Sequence, residues 1–345
     1  MFKTKDYNFN LPEHLIAQEP FKNKERTPLL VFKNNQIFDQ KIANLLDYVS
    51  SGDVMIFNQV KVIKAKLIGD LNFSQTKINI NLDQELDDAC WQALCKPAKK
   101  IKTGDKIFFN QDFFAEIIQK ENDGFIKIKF NYSGEILQKN IEKYGQIPLP
   151  PYIKRDEENL ISDEKNYQTI YAKDGVGVAA PTAGLHFTDN ILQKLLQKKV
   201  KLVYLTLNVG AGTFLPVRSE NILDHKMHSE KFYLSKENCD IINQAKISGN
   251  KIIAVGTTSL RALESSVDEA GVLQPQSRST NIFIYPSYNF KIVDALMTNF
   301  HLPKSTLFML ICAFVGYENA FKIYDHAIAN NYRFYSYVDS SVLIK

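Results

Sequence analysis

The sequence predicts an α/β protein: a main mixed α/β domain carrying an inserted β-barrel-like domain. Three observations predict it. Helix-like and strand-like segments alternate after residue 151, the mark of an α/β architecture. From about Leu71 to Leu149 the pattern is instead β-type alternation. Pro148, Pro150 and Pro151 close that stretch with residues that fit neither a ladder nor a helix interior. A chain of 345 residues also suits about two domains of roughly 100–200 residues each. The expected division is 1–67 with 152–345 for the main domain and 68–151 for the insert.

In chain order, the apolar runs Leu29–Phe32 and Val54–Phe57 read as buried strands, with turn chemistry at Asn34-Asn35 and Ser50–Asp53. In the insert, Phe113–Ile118 and Phe125–Phe130 flank Asn122-Asp123-Gly124, whose glycine can supply the positive φ of a tight hairpin. The only helix-period stretch there is Glu135–Tyr144. Beyond the prolines, a helix is expected near Asp189–Lys199, a strand at Val200–Leu207, a helix near Lys236–Ser248 and a strand at Lys251–Val255. Thr188 and Ser235 are the expected N-caps. A helix from Ser259, a strand Ile282–Tyr285, and helices near Ser305–Val315 and Glu318–Asn330 complete the alternation.

Composition narrows the class. Hydrophobic residues at 45% and charged residues at 23% are ordinary for a folded globular chain and exclude a disordered or fibrous one. A net charge of +4 favours an anionic partner without establishing one. Cys90, Cys95, Cys239 and Cys312 are too scattered for a zinc knuckle or a disulfide framework. Met1 leads into charged sequence with no secretory pattern, so the cytoplasm is expected. The run Leu307–Val315 is far shorter than the ~20 residues that span a bilayer, so it reads as a core helix and no membrane partner is expected.

Polar, glycine-bearing stretches stand between these elements, where an α/β sheet presents its ligand-binding loops. They are Ala179–Phe187, Asn208–Val217, His225–Glu230, Gly256–Glu264 and Thr298–Met309. At Gly256-Thr257-Thr258-Ser259, a glycine, three hydroxyls and the start of a helix suit a carboxylate, a ribose or a phosphate. A plain capped loop would look the same. Gly184, Gly210 and Gly212 likewise permit close approach of a ligand or merely a turn. His225, His228 and Glu230 could do acid–base work or serve structurally; a metal is not expected, because no third histidine or cysteine is near. Lys96, Lys99, Lys100, Lys102 and Lys106 either track an RNA backbone or form a solvated barrel face, and Trp91 reads as core.

Taken together, these stretches resemble one family. LIAQEP from Leu15, IPLPPYI from Ile147, YQTIY from Tyr167, VAAPTAGLHF from Val178, NVGAGTF from Asn208, HKMHSE from His225, VGTTSLRALES from Val255 and TNFHLPKSTLFML from Thr298 occur in the order seen in the S-adenosylmethionine:tRNA ribosyltransferase-isomerases of queuosine biosynthesis. The resemblance implies that S-adenosylmethionine is a co-substrate whose ribosyl part moves to 7-aminomethyl-7-deazaguanine at the wobble position of a tRNA. The product would be epoxyqueuosine in tRNA, with adenine and methionine released by a monomer that needs no prosthetic group. The family's β-barrel inserted in an α/β domain agrees with the boundaries above.

Such a reaction needs a base for the C5′ hydrogens that the sulfonium acidifies and a donor to the departing adenine. The expected acid–base residues are His186, His228 and His301, with His186 and His228 at accessible sites that titrate near neutral pH. Gly210, Gly212, Thr213, Gly256, Thr257, Thr258 and Ser259 are expected to meet S-adenosylmethionine, and Arg261 and Glu264 to anchor its carboxylate or amine. The sequence departs from the family pattern at Gln59-Val60-Lys61 (Asp-Thr-Arg expected), Lys64 (proline), Lys66 (arginine), Asn208 (histidine), Leu215 (a polar or basic residue) and Val338 (glycine). These departures raise a competing reading, a catalytically weakened homologue that still binds tRNA. An ordinary methyltransferase is disfavoured, since no glycine-rich loop follows an early strand with an acidic residue about twenty positions on.

Overall fold

The structure, a computed structural model, describes residues 2–19, 21, 23–121, 124–149, 153, 164, 166–210, 217–335 and 337–345. The chain opens with the hairpin β1 (Pro28–Lys33) and β2 (Gln36–Lys41), turned at Asn34 and Asn35, both at positive φ. Strand β3 (Val54–Asn58) is buried along its whole length, as its unbroken apolar run requires of a strand covered on both faces. The short β4 (Val60–Val62) then leads into the barrel.

Six strands form that barrel: β5 (Lys66–Leu71), β6 (Lys77–Glu85), β7 (Cys90–Lys96), β8 (Lys106–Phe108), β9 (Phe114–Lys120) and β10 (Phe125–Phe130). They close in the order β10-β7-β6-β5-β8-β9. Alternation fills its interior: Ile78, Ile80 and Leu82 of β6 face inward with Trp91, Ala93 and Cys95 of β7. Helix α1 (Gly134–Tyr144) caps the barrel through Leu137 and Ile141, which join the same core. The β9–β10 hairpin is present with Gly124 at φ +87°; Asn122 and Asp123 lie outside the described residues. Strand β5 starts at Lys66, so it straddles the expected boundary between 67 and 68.

Strand β11 (Asp174–Gly177) pairs with β4. The chain then alternates through α2 (Asp189–Gln197), β12 (Lys201–Leu207), β13 (Glu230–Leu234), α3 (Lys236–Ile247), β14 (Ile252–Val255), α4 (Thr257–Ser266), β15 (Gln276–Thr280), β16 (Ala295–Asn299), α5 (Thr306–Val315), α6 (Tyr317–Ala329) and β17 (Ser340–Ile344). Thr188 and Ser235 cap α2 and α3 by accepting from the amides of Ile191 and Asn238. The main sheet runs β15-β13-β12-β3-β14-β16-β17-β1-β2, with β12, β3, β14 and β16 mutually parallel. Their carboxyl ends share one edge.

Two elements differ from expectation. Helix α4 begins at Thr257 rather than near Ser259, with Gly256 at φ +87° in the N-cap position. The expected strand Ile282–Tyr285 is irregular, and the strand lies earlier, at Gln276–Thr280. Its backbone groups are taken by side chains: Thr280 Oγ1 accepts from the amide of Ile282, and Arg261 Nε donates to the Ile282 carbonyl. No single helix among the described residues is long and apolar enough to cross a membrane; the apolar α5 has Phe308–Cys312 in the core.

Candidate functional site

The carboxyl edge of the parallel strands opens into a cavity of about 430 Å³. Ala179–Ala183 form one wall, Gly256–Thr258 another, Thr298–Leu307 a third, and Tyr167, Val209, Val217 and Tyr335 complete it. Four of the stretches singled out in the sequence therefore meet at one place, Asn208–Val217 through Val209 and Val217.

The cavity's electrostatics come mostly from backbone. Gly256 has no side chain to cap α4, so the first amides of that helix, at Thr257–Ser259, keep no intrahelical partner and add the positive end of a helix dipole. Helix α5 starts at the same cavity, with Ser305 capping the amide of Phe308 and Lys304 just before it. No aspartate or glutamate is among the described residues that line the cavity. Two buried donors add to this: Thr258 Oγ1 and Asn299 Nδ2 have no hydrogen-bond partner among the described residues. Unsatisfied buried polar groups of this kind are rare, and each has room for an acceptor.

The three candidate histidines are not brought together. His301 lines the cavity, its Nε2 3.1 Å from Thr298 Oγ1 and its amide donating to the Tyr324 hydroxyl at 3.0 Å. The packing around it pushes its pKa down to about 3. His186 ends the short 3₁₀ turn Thr182–His186 and is buried behind the cavity wall, its Nε2 3.0 Å from Asn299 Oδ1. Burial lowers its pKa to about 4, with the Asn299 bond opposing and Lys24 and Arg333 assisting. The expectation of an accessible His186 titrating near neutrality is thus overturned: the turn folds the ring into the protein. His228 is exposed at the junction with the barrel, its ring 5.6 Å from that of Phe125 on β10. His225, whose pKa burial lowers, packs edge-on to Phe283.

Arg261 and Glu264 do not line the cavity. Arg261 Nη1 pairs with Glu230, both buried, while Arg261 Nη2 has no partner among the described residues. Glu264 accepts from four groups: the amides of Lys291 (3.0 Å), Ile292 (3.2 Å) and Val293 (3.1 Å) and the Tyr288 hydroxyl (3.2 Å). Its carboxylate holds the 288–293 loop through these four bonds. Gly212, Thr213 and Leu215 lie outside the described residues. Gly210 lines a different opening, a cleft of about 90 Å³ between barrel and sheet with Asp83, Glu85, Asn208 and Glu230. A Cβ on Gly210 would stand 2.7 Å from Asp83 Oδ1, so glycine permits that approach.

Asn299, Lys304 and Tyr167 belong to the cavity without having been singled out in the sequence. The signal for Asn299 was present: a polar residue closing a buried strand inside the stretch Thr298–Met309. The described departures from the family pattern, at Gln59, Val60, Lys61, Lys64, Lys66, Asn208 and Val338, are all outside the cavity lining. Among the described residues no group of three or more His, Cys, Asp or Glu side chains could hold a metal ion.

Comparison with known proteins agrees with this architecture. The family model described as Queuosine biosynthesis protein matches residues 4–343. The S-adenosylmethionine:tRNA ribosyltransferase-isomerase of Fusobacterium nucleatum is 46% identical over 97% of this chain and 95% of its own length. Its namesake from Rickettsia bellii is 46% identical over 99% of each chain. The crystal structure of the S-adenosylmethionine tRNA ribosyltransferase of Thermotoga maritima superposes with a TM-score of 0.55 at 29% identity, covering 98% of this chain and 100% of that one. With the model match and the relatives both running nearly end to end, the chain belongs to the queuosine biosynthesis protein family of S-adenosylmethionine:tRNA ribosyltransferase-isomerases.

Proposed function

We propose that the protein transfers and isomerises the ribosyl moiety of S-adenosylmethionine onto 7-aminomethyl-7-deazaguanine at the wobble position of tRNA. The products are epoxyqueuosine-tRNA, adenine and methionine. The observation that carries this reading is the identity of 46% over nearly the whole chain with ribosyltransferase-isomerases, which leaves no segment of the fold unaccounted for. The cavity at the carboxyl edge suits the nucleoside substrate in size and in its donors. S-adenosylmethionine is a co-substrate, and no prosthetic group is invoked.

Of the three candidate histidines, His301 is the one placed to act on a molecule in the cavity. We assign to it the C5′ hydrogens next to the sulfonium, on its place in the cavity wall. The exposed lysines of the barrel, Lys96, Lys99, Lys100 and Lys102, are the surface we assign to the tRNA backbone. The working division remains 1–67 with 152–345 and an insert of 68–151, acting as a monomer in the cytoplasm. No observation favours the weakened homologue, since the described departures leave the cavity lining untouched.

Mass spectrometry of the products from S-adenosylmethionine and precursor-bearing tRNA tests the reading. Adenine, methionine and epoxyqueuosine in equal amounts are expected. S-adenosylhomocysteine in their place, or tRNA binding without adenine release, would overturn it.

A further inference from the structure

We propose that Asn299 binds the carboxylate on the methionyl arm of S-adenosylmethionine, and that His186 is a positioning residue acting through Asn299. The proposal rests on the reading above that the cavity holds this substrate. The register of the sheet sets the geometry. Val255 of β14 stands opposite Met297 of β16, and the Gly256 amide donates to the Met297 carbonyl at 2.8 Å, so the start of α4 and Asn299 leave adjacent strand ends side by side.

Asn299 is 2% exposed, yet its amide group is only half satisfied. Its Oδ1 is engaged by His186 Nε2 at 3.0 Å, while its Nδ2 has no partner among the described residues of the cavity it lines. A buried NH₂ without an acceptor is costly to keep, and the cost is recovered when an acceptor arrives. The surroundings specify an anionic acceptor. The uncapped amides of α4, the partnerless Thr258 hydroxyl and Lys304 are all donors or positive, and among the described residues no carboxylate lines the cavity to compete. Among the described lining residues the substrate's carboxylate finds several donors.

His186 decides which end of the amide faces the ligand. A neutral imidazole has one N–H, and spent on Oδ1 it leaves the NH₂ as the end of the amide still open to an acceptor. His186 is not among the described residues that line the cavity, and its bond to Asn299 links it to one that is.

Calorimetric titration of the full chain with S-adenosylmethionine and with 5′-methylthioadenosine, which lacks the amino-acid arm, tests the assignment. For Asn299→Leu the affinity for S-adenosylmethionine should fall by about 10–100-fold, the range for a hydrogen bond to a charged group, while methylthioadenosine binds within about threefold of the parent. His186→Ala should reproduce that loss, and His186→Gln, which can still donate to Oδ1, should restore most of it. The double variant His186→Ala/Asn299→Leu should be no weaker than Asn299→Leu alone. Thr258→Val, on α4, should weaken S-adenosylmethionine several-fold and supplies the test if the Asn299 variants do not fold. Equal losses for both ligands, or no loss for either, would overturn the role of Asn299. A His186→Gln enzyme with lowered kcat and unchanged KM would overturn the positioning role. If the parent binds neither nucleoside, the reading of the cavity fails first and the assignment fails with it.

Discussion

Two openings lie on the same sheet edge, and one peptide bond joins them: Val209 lines the 430 Å³ cavity and Gly210 the 90 Å³ cleft. Their electrostatics are opposite. Among the described residues the cavity has no carboxylate, and it draws its positive character from helix starts, which the α/β fold supplies wherever a strand runs into a helix. The cleft is built from side chains, Asp83 and Glu85 of barrel strand β6 and Glu230 of sheet strand β13, with Lys231 beside them. Burial, with Asp88 and Asp87 nearby, raises the Glu85 pKa, while Lys231 opposes. The comparison teaches that the fold's backbone makes one environment and the docking of the barrel against the sheet makes the other.

The largest effects should separate the histidines on the two sides. His301→Ala, on the cavity wall, should lower adenine release by about 10²–10⁴-fold, as expected for a positioned base, with a modest change in thermal unfolding. His228→Ala, at the barrel junction, should cost far less turnover under saturating substrates. The comparison breaks if the two variants exchange these outcomes.

Next in size is the junction's buried ion pair. Arg261→Met leaves Glu230 buried without this countercharge and should destabilise the protein by about 3–5 kcal/mol in denaturant unfolding. The double variant Arg261→Met/Glu230→Met should recover most of that loss. If the single variant unfolds like the parent, the pair does not hold the barrel side of the sheet.

Acid should act on the cavity side through His186. Its folded pKa of about 4 is below the unfolded value of 6.5, so it binds its proton more readily when unfolded. Its contribution to stability is therefore complete above pH 6.5 and is lost as pH falls toward 4. A shift of that size corresponds to about 3 kcal/mol. Chemical denaturation between about pH 7 and pH 4 should show this slope together with that of His301, and His186→Gln should remove the His186 share.

The smallest effect concerns the barrel surface. Neutralising Lys99, Lys100 and Lys102 should weaken tRNA binding and reduce the slope of log affinity against log salt by about 0.7–0.9 for each phosphate that is no longer neutralised. An unchanged slope would return these lysines to a solvated face.

Much of the frame was legible in the residues. Capped helices, the buried β3 and the alternating barrel strands follow from local pattern, and the stretches at Ala179, Gly256 and Thr298 proved to be the walls of the cavity. What was not legible depends on distant partners. Nothing near His186 shows that it will be buried against Asn299, a residue 113 positions away. Glu264 reads as a free anchor until the 288–293 loop folds over it. The run 282–285 has strand composition, but side chains of Thr280 and Arg261 take the bonds a ladder would need. Local pattern specifies elements and loops; the pairing of polar groups across the sheet edge specifies the site.

The most direct test is a crystal structure of the protein with S-adenosylmethionine. The carboxylate is expected against the amides of Thr257–Ser259 with Asn299 Nδ2 in hydrogen-bond reach, and His301 on the wall facing the ribose. Density for the nucleoside in the cleft at Asp83, Glu85 and Glu230, with the larger cavity empty, would contradict the account.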